Sequence, residues 1–456
     1  MLSVVPRKCY ECDAIRAEIR WSFRMYKEYA WGKDDLVPRS RGGTNWLHMG
    51  NTIVDSLDTL LLSGLMREFE EGAGWVSNTL HFDAPVVVNA FEVTIRILGG
   101  LLSAHALTNR TVFLKKASDL AERLTVASAS VERMPKNDVD LSRRVGRDQH
   151  SFSLAQVGTL QLEHNYLAHA APSRLHIKHA RYFCNVQKKL NAQLRVRKFL
   201  PTQVTSTGEP NSVVYSLGGE ADSYFEYVLK SYLQGGGRDA LLLKTYVTAM
   251  EFAFAKMLRR THDRRAYLVS VWSNSHVALG GEMGHLECFA PGMIALGSTM
   301  LRRPAARRRH LRIAKALMLG CWQLYNRSAT GVGMERAAFG GSSVLTTQPV
   351  DTRNMLRPEV AESIYYLYKT TGDEFYRDMG WKLFQSARAH SKGAFGYCSM
   401  DDVFRPSCDG KMESFWISET LKYLYLMFDD KIDLTAWVFN TEAHLLPVID
   451  TEGSSC

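Results

Sequence analysis

Phe91-Glu-Val-Thr-Ile-Arg-Ile-Leu-Gly-Gly-Leu-Leu, residues 91–102, decides how the rest of the chain is read. Phe91, Ile95, Leu98 and Leu102 recur at helical spacing and form one apolar stripe. Glu92 and Arg96 stand four apart beside it, on one face of the predicted helix. Segments 221–233 and 359–368 repeat the design, with Asp222 and Glu359 at their starts. Gly-, Pro- and Asn-rich stretches at 208–211, 235–237, 372–373 and 393–396 separate such segments. Strand-like alternation never runs beyond a few residues, and no low-complexity linker divides the chain. The expectation is an all-α protein.

Polar residues set into these apolar segments recur at a coarse period. Glu92, Gln156, Asp222, His285, Glu359 and Glu419 follow one another at intervals of 64, 66, 63, 74 and 60 residues. Such an interval fits one antiparallel helix pair with its loops. Seven pairs account for 456 residues. Each would bring a polar residue to a common centre, which describes a closed toroid of helical hairpins in one domain.

With 46% hydrophobic and 23% charged residues, the chain has the composition of a globular enzyme with a large core. No run approaches the roughly 18 apolar residues that span a bilayer, and the first residues gather charge before a signal-peptide core can form. The net charge of +9 raises the question of nucleic acid. The basic residues fall in three runs: Arg143, Arg144 and Arg147; Arg259, Arg260, Arg264 and Arg265; and Arg302, Arg303, Arg307, Arg308, Arg309 and Arg312. All three lie between periodic segments, where solvated loops and helix ends fall, and no nucleic-acid-binding signature accompanies them. Cys9, Cys12, Cys184, Cys288, Cys321, Cys398, Cys408 and Cys456 are too few for a disulfide scaffold and too scattered for a zinc ribbon. Asn109-Arg-Thr and Asn326-Arg-Ser are glycosylation sequons, and Asn109 follows a helical segment as a surface turn would.

Each local pattern carries a plain reading beside the chemical one. Glu92 and Arg96 make a helical ion pair as readily as an active-site pair. Pro358 opens a helix whose first turn holds Glu359 and Glu362, where the helix dipole favours carboxylates in any case. Asp222 suits a helix cap, His285 a satisfied core histidine, and Phe415 and Glu419 are simply four apart. Together they place several carboxylates at the ends of core-facing helices. Glycoside hydrolysis uses such carboxylates, an acid and a base on opposite sides of the anomeric carbon. The pattern does not name the sugar.

At that point the sequence resembles the class I α-1,2-mannosidases, glycoside hydrolase family 47. The matching segments are Tyr29-Ala-Trp-Gly-Lys-Asp-Asp-Leu, Thr52-Ile-Val-Asp-Ser-Leu-Asp-Thr-Leu, Asn89-Ala-Phe-Glu-Val-Thr-Ile-Arg, Gly158-Thr-Leu-Gln-Leu-Glu, Ala221-Asp-Ser-Tyr-Phe-Glu-Tyr-Val-Leu-Lys, His285-Leu-Glu-Cys-Phe, Leu356-Arg-Pro-Glu, Glu419-Thr-Leu-Lys-Tyr and Phe439-Asn-Thr-Glu-Ala-His. The wording is nearest the endoplasmic-reticulum branch. The resemblance implies an (αα)7 barrel over residues 21–449, after an extension at 1–20 and before a tail at 450–456. It implies inversion, with Glu92 as general acid, Asp222 assisting through water, and Glu359 as general base. Arg96, His285, Arg357, Glu362, Phe415, Glu419 and Glu442 match positions lining the mannose pocket. Thr441 matches the direct protein ligand of a calcium ion, which accepts a shell of many oxygens. Cys288 and Cys321 match a disulfide, which suits an oxidising lumen of the endoplasmic reticulum or Golgi. The implied partner is the high-mannose N-glycan. Nucleic acid is not expected, membrane attachment is not visible in the sequence, and a monomer is expected.

Two positions depart from the family. Gln156 stands where a glutamate is usual, and Glu220 stands where the branches carry arginine or leucine. The first predicts a lowered rate and the second an altered choice of branch. They leave open a weakly active glycan-binding factor in glycoprotein quality control as the alternative to a hydrolase.

Overall fold

The computed structural model describes residues 9–128, 132–339 and 347–449. Fourteen principal helices alternate between an outer and an inner ring. The outer set is α1 (Tyr10–Ala30), α3 (Met66–Asn78), α5 (Thr111–Arg123), α7 (Arg174–Arg197), α9 (Ala240–Lys256), α11 (Pro304–Cys321) and α13 (Glu374–His390). The inner set is α2 (Asn51–Leu62), α4 (Ala90–Thr108), α6 (Gln161–Ala170), α8 (Asp222–Gln234), α10 (Ala290–Thr299), α12 (Glu359–Thr371) and α14 (Leu421–Asp429). Successive inner helices pack side by side, and α2 closes on the segment that opens α14. Each outer helix packs on its inner neighbour, α1 on α14. The fold is an (αα)7 barrel, as the period of the polar residues implies.

Burial explains the two rings. Outer helices are amphipathic: α5 buries Phe113, Ala117, Leu120 and Ala121, one stripe at helical spacing. Inner helices are enclosed on nearly all sides, so α2 buries ten consecutive residues from Asn51 to Leu60. Ala90–Thr108 is long and apolar enough to cross a membrane, but 72% of that stretch is buried inside the barrel. It is a core helix. A boundary at residue 20 falls inside α1, whose Cys12, Ile15, Glu18 and Ile19 are already buried. Residues 10–20 therefore belong to the barrel, while 1–8 and 450–456 lie outside the described residues.

The strands missing from the sequence pattern are short. They form small two- and three-stranded antiparallel sheets, from strands of two to five residues set between the helices. One of them fixes the centre of the molecule. Strands Trp437–Phe439 and Leu445–Pro447 pair antiparallel. At the base of the hairpin the Ile449 N–H donates to the Gln234 carbonyl, at the C-terminal end of α8 (2.7 Å). Its tip, residues 440–444, reaches inward, where the Tyr227 hydroxyl lies 3.3 Å from the Thr441 nitrogen. The hairpin therefore enters the barrel from the C-terminal ends of the inner helices. Cys288 and Cys321 are disulfide-bonded, as the resemblance implies, and so are Cys9 with Cys12 and Cys398 with Cys408. Asn109 is exposed in the turn between α4 and α5.

Candidate active site

The site lies where the N-terminal ends of the inner helices meet the tip of the C-terminal hairpin. Glu92 sits in the first turn of α4, capped by the Asn89 side chain. Asp222 and Glu359 open α8 and α12. Two inner helices wind as π-helix at this end, over Val93–Leu98 and Trp416–Thr420. Such turns widen a helix locally and recur at functional sites. Here they hold Arg96 and Glu419. Glu220 and Leu356, just ahead of α8 and α12, have φ of 72° and 61°. Left-handed backbone in side-chain-bearing residues is strained, and it persists where the surroundings enforce it.

Glu92, Arg96, Gln156, Glu220, Asp222, Arg357, Glu359, Phe415, Glu419, Thr441 and Glu442 all line one cavity of about 570 Å³. Glu362 lies deeper, in a small adjoining space bounded by Asp222, Glu226, Glu359, Glu419 and Thr441. His285 lines a larger cleft of about 1200 Å³, which opens beside the first and shares Gln203, Glu220 and Arg357 with it. Twelve of the thirteen expected pocket residues thus face one or both of two connected spaces, and Glu362 sits at their floor.

The charges are ordered. Arg96 bridges Glu92 (2.9 Å) and Glu442, and its guanidinium lies 5.9 Å from the Phe415 ring centre. Arg357 pairs with Glu335 at 2.6 Å. Glu359 contacts His285 Nδ1 at 2.6 Å, and His285 Nε2 contacts the Tyr325 hydroxyl at 2.8 Å. Both ring nitrogens of His285 are therefore engaged, and the ring orients Glu359 from behind. Burial pushes the Glu359 carboxyl up, yet the His285 contact and the Arg357 charge outweigh it and leave the group below the usual range. Burial and the charges of Glu226 and Glu359 push Asp222 up to about 7. Burial also raises Glu362 to about 8, against the pull of Lys230, and Glu419 rises well above its ordinary value beside Glu442.

Several residues here escaped the sequence reading. Glu226 and Lys230 continue the stripe of Asp222 down α8 at intervals of four; both are buried and paired with each other. Lys230 also reaches the Asn440 carbonyl (3.2 Å), and Glu226 accepts from the Thr441 hydroxyl (2.7 Å). Glu163, fully buried, accepts from Tyr227 (2.6 Å) and Asn440 (2.7 Å). The four-residue spacing from Asp222 was the available signal for Glu226 and Lys230. Glu163 stood inside a matched segment with nothing to mark it.

Among the described residues no group of three His, Cys, Asp or Glu side chains could hold a metal directly. Thr441, whose side chain and backbone offer a hydroxyl and a carbonyl oxygen, lines the same small space as Glu226, Glu362 and Glu419. The carboxyl groups of these three form an all-oxygen shell around it, which suits a hard divalent cation bound largely through water.

A family model described as glycosyl hydrolase family 47 matches residues 18–448. The chain is 38% identical over 445 residues to the endoplasmic reticulum mannosyl-oligosaccharide 1,2-alpha-mannosidase of Homo sapiens, covering 94% of this chain and 62% of that protein. It thus spans less than two thirds of that relative's length. It is 35% identical over 443 residues to mannosyl-oligosaccharide 1,2-alpha-mannosidase MNS1 of Arabidopsis thaliana, covering 94% and 77%. The alpha-1,2-mannosidase from Trichoderma reesei superposes with a TM-score of 0.86 at 26% identity, over 96% of this chain and 99% of that one. The alternative of a weakly active binding factor finds no support in these relatives, which are named for hydrolysis.

Proposed function

Since the chain belongs to glycosyl hydrolase family 47, we propose that it is an inverting hydrolase that removes terminal α-1,2-linked mannose from high-mannose N-glycans. The carrying observation is that carboxyls at the N-terminal ends of two inner helices are driven apart in acidity: the His285 contact and the Arg357 charge hold Glu359 below the usual carboxylate range, and burial pushes Asp222 up to about 7. Opposite shifts of this kind separate a base from an acid. Glu359 on α12 takes the proton of the attacking water, with His285 fixing its carboxylate. Glu92 on α4, across the ring, stands on the leaving-group side. Asp222 supplies a proton to that side through water, and Glu92 holds its orientation through Arg96. Two carboxyls on opposite walls leave room between them for sugar and water, which inversion requires. Arg96, Phe415, Glu419 and Glu442 hold the mannose.

Calcium is the cofactor we propose, held by the two oxygens of Thr441 and by water anchored on the surrounding carboxylates. When bound it supplies ligation for sugar hydroxyls and offsets the carboxylate charge. A lumenal setting in the endoplasmic reticulum or Golgi agrees with the disulfides Cys9–Cys12, Cys288–Cys321 and Cys398–Cys408 among the described residues. Because one chain supplies every site residue, a monomer suffices.

Glu220 stands at the junction of the two spaces, and its carboxylate accepts from Gln203 Nε2 (3.2 and 3.3 Å). An ionised carboxylate accepts hydrogen bonds from sugar hydroxyls and donates none, so selection of a single glycan branch is expected to be weak. The test is a time course on a nine-mannose glycan, with calcium and with a strong chelator, resolving the eight-mannose isomers. Release of mannose, its loss on chelation and a mixture of isomers are expected. No release would sink the hydrolase reading, unchanged release under chelation the calcium reading, and one dominant isomer the reading of Glu220.

A further inference from the structure

The outer wall of the barrel is electrically lopsided. Three outer helices, α7, α9 and α11, carry fourteen Lys and Arg and a single acidic residue, Glu251. The other four outer helices, α1, α3, α5 and α13, carry eleven of each sign. The basic three form one continuous face: α7 packs on α9, and α9 is tied to α11 through Glu251, which meets Arg309 and His310, and through Phe254, whose ring meets that of His310 edge-on. Arg174 and Lys178 on α7, Lys244 on α9, and Arg307, Arg308 and Arg312 on α11 are exposed. Among the described residues, the last three form no ion pair. Between the cations stand aliphatic side chains that the fold leaves in solvent: Ile177 (37% exposed), Val196 (81%), Leu241 (50%) and Leu319 (38%).

We propose that this wall docks the protein side-on to an anionic lipid surface. Arg197 meets Glu209, Arg309 meets Glu251 and Lys315 meets Asp373, so among the described residues three of the fourteen cations have a carboxylate partner. Packing so many like charges with so few acidic partners costs the folded state repulsion, and the balanced helices show that the barrel does not need it. The cations spread over three helices instead of converging on one groove, and α7 alone runs 24 residues. That breadth matches a flat array of anions better than a single peptide. The exposed large apolar groups on these helices are aliphatic, with no aromatic platform on which bases would stack. A bilayer meets both features at once: anionic headgroups for Lys and Arg, and the acyl boundary for the aliphatic side chains. The catalytic cleft opens at the end of the barrel, at the N-termini of the inner helices, so side-on docking leaves it accessible. This inference does not depend on the hydrolase reading.

The test is sedimentation of the whole chain with vesicles of phosphatidylcholine alone and with vesicles containing phosphatidylserine. Binding is expected only to the second kind, and it should fall away at about 0.5 M salt, where the Debye length shrinks to a few ångströms. The triple variant Arg307→Glu, Arg308→Glu, Arg312→Glu should bind at least about tenfold more weakly. Its circular dichroism and its kcat/KM on a soluble α-1,2-mannobioside should be unchanged. Absence of serine-dependent binding overturns the proposal, and so does a folded triple variant that binds like the parent. Capture by soluble polyglutamate or by RNA at the same salt, with none by vesicles, overturns it in favour of another polyanion.

Discussion

Glu359 is fixed by His285 and biased by Arg357, and both act on a carboxylate. Glu359→Gln keeps the shape and can still accept from His285, but it cannot take a proton. Turnover should fall by about 10²- to 10⁴-fold while a mannose-terminated glycan still binds; turnover near the parent level would move the base to Glu362. Gln156 Oε1 already accepts from Asn137 Nδ2 (2.5 Å). A glutamate there keeps that bond and adds negative charge beside a transition state that is positive. Gln156→Glu should raise kcat/KM by up to about tenfold, or 1.4 kcal/mol of barrier; an unchanged value would show a pocket re-adapted to the amide. With Asp222 pushed up to about 7 and needed in its protonated form, kcat/KM should decline as pH rises through about 7, and Asp222→Asn should remove that limb along with most of the rate. At this scale the sequence showed side chains that share a helix, such as Glu92 with Arg96. It could not show Lys230 meeting Asn440 or Glu163 meeting Tyr227, because those contacts exist only after distant segments are brought together.

Among the elements, the hairpin tip is the most heavily anchored. His444 lies between Asp55 (3.0 Å) and Asp58 (3.1 Å), Lys422 pairs with Asp58 (2.8 Å) and donates to the Ala443 carbonyl (2.7 Å), and Asn440 accepts from the backbone of Glu442 and His444 (2.8 Å each). All of these side chains are buried. Lys422→Met would leave the Asp58 carboxylate short of its cation in the core, a loss of about 3–5 kcal/mol. Thermal unfolding should show the lowered stability, and titration with calcium should show weaker binding, because the same tip presents Thr441. Unchanged calcium affinity in a folded variant would separate the anchor from the metal. Replacing the Cys288–Cys321 pair with serines should cost about 2–4 kcal/mol, since the bond closes a loop of 33 residues. Sequence periodicity found the helices that carry the site. The hairpin escaped it, because strands of three residues are too short to show an alternation.

For the whole molecule, two sets of histidines pull stability in opposite directions with pH. His164 and His179 are buried and held below the ordinary value, His179 at about 4, by burial first and by each other's or His176's charge next. The unfolded chain binds protons there that the folded one refuses, so the stability this pair contributes falls as pH drops below about 6.5. His444 is raised to about 9 by Asp58 and Asp55 against burial. Its contribution is complete below about 6.5 and is lost as pH rises through about 9. Asp222 and Glu362, pushed up to about 7 and about 8, act in the same sense as His444 and against the buried pair. Urea midpoints should therefore drop between pH 7 and pH 9.5; a midpoint unchanged over that range would rule out the raised groups. The ring was legible from the spacing of six polar residues, because each hairpin repeats one job. The lopsided wall was not: of the three basic runs only the last reaches it, on α11, and the cations of α7 and α9 belong to no run, so the wall exists only once the three helices stand side by side.

The closing hairpin also imposes an order in time. A ribosome releases α2 and α4 first, yet the surfaces they must meet belong to α14 and to residues 440–444; Arg96 and Glu442 are 346 residues apart along the chain. At about 5–20 residues per second, the early helices wait tens of seconds with an open seam. A nascent chain stalled between residues 420 and 440 holds every carboxylate of the site except Glu442 and lacks the threonine at their centre. Such fragments should be inert, and their exposed seam should make them clients of chaperones until the last hairpin threads home.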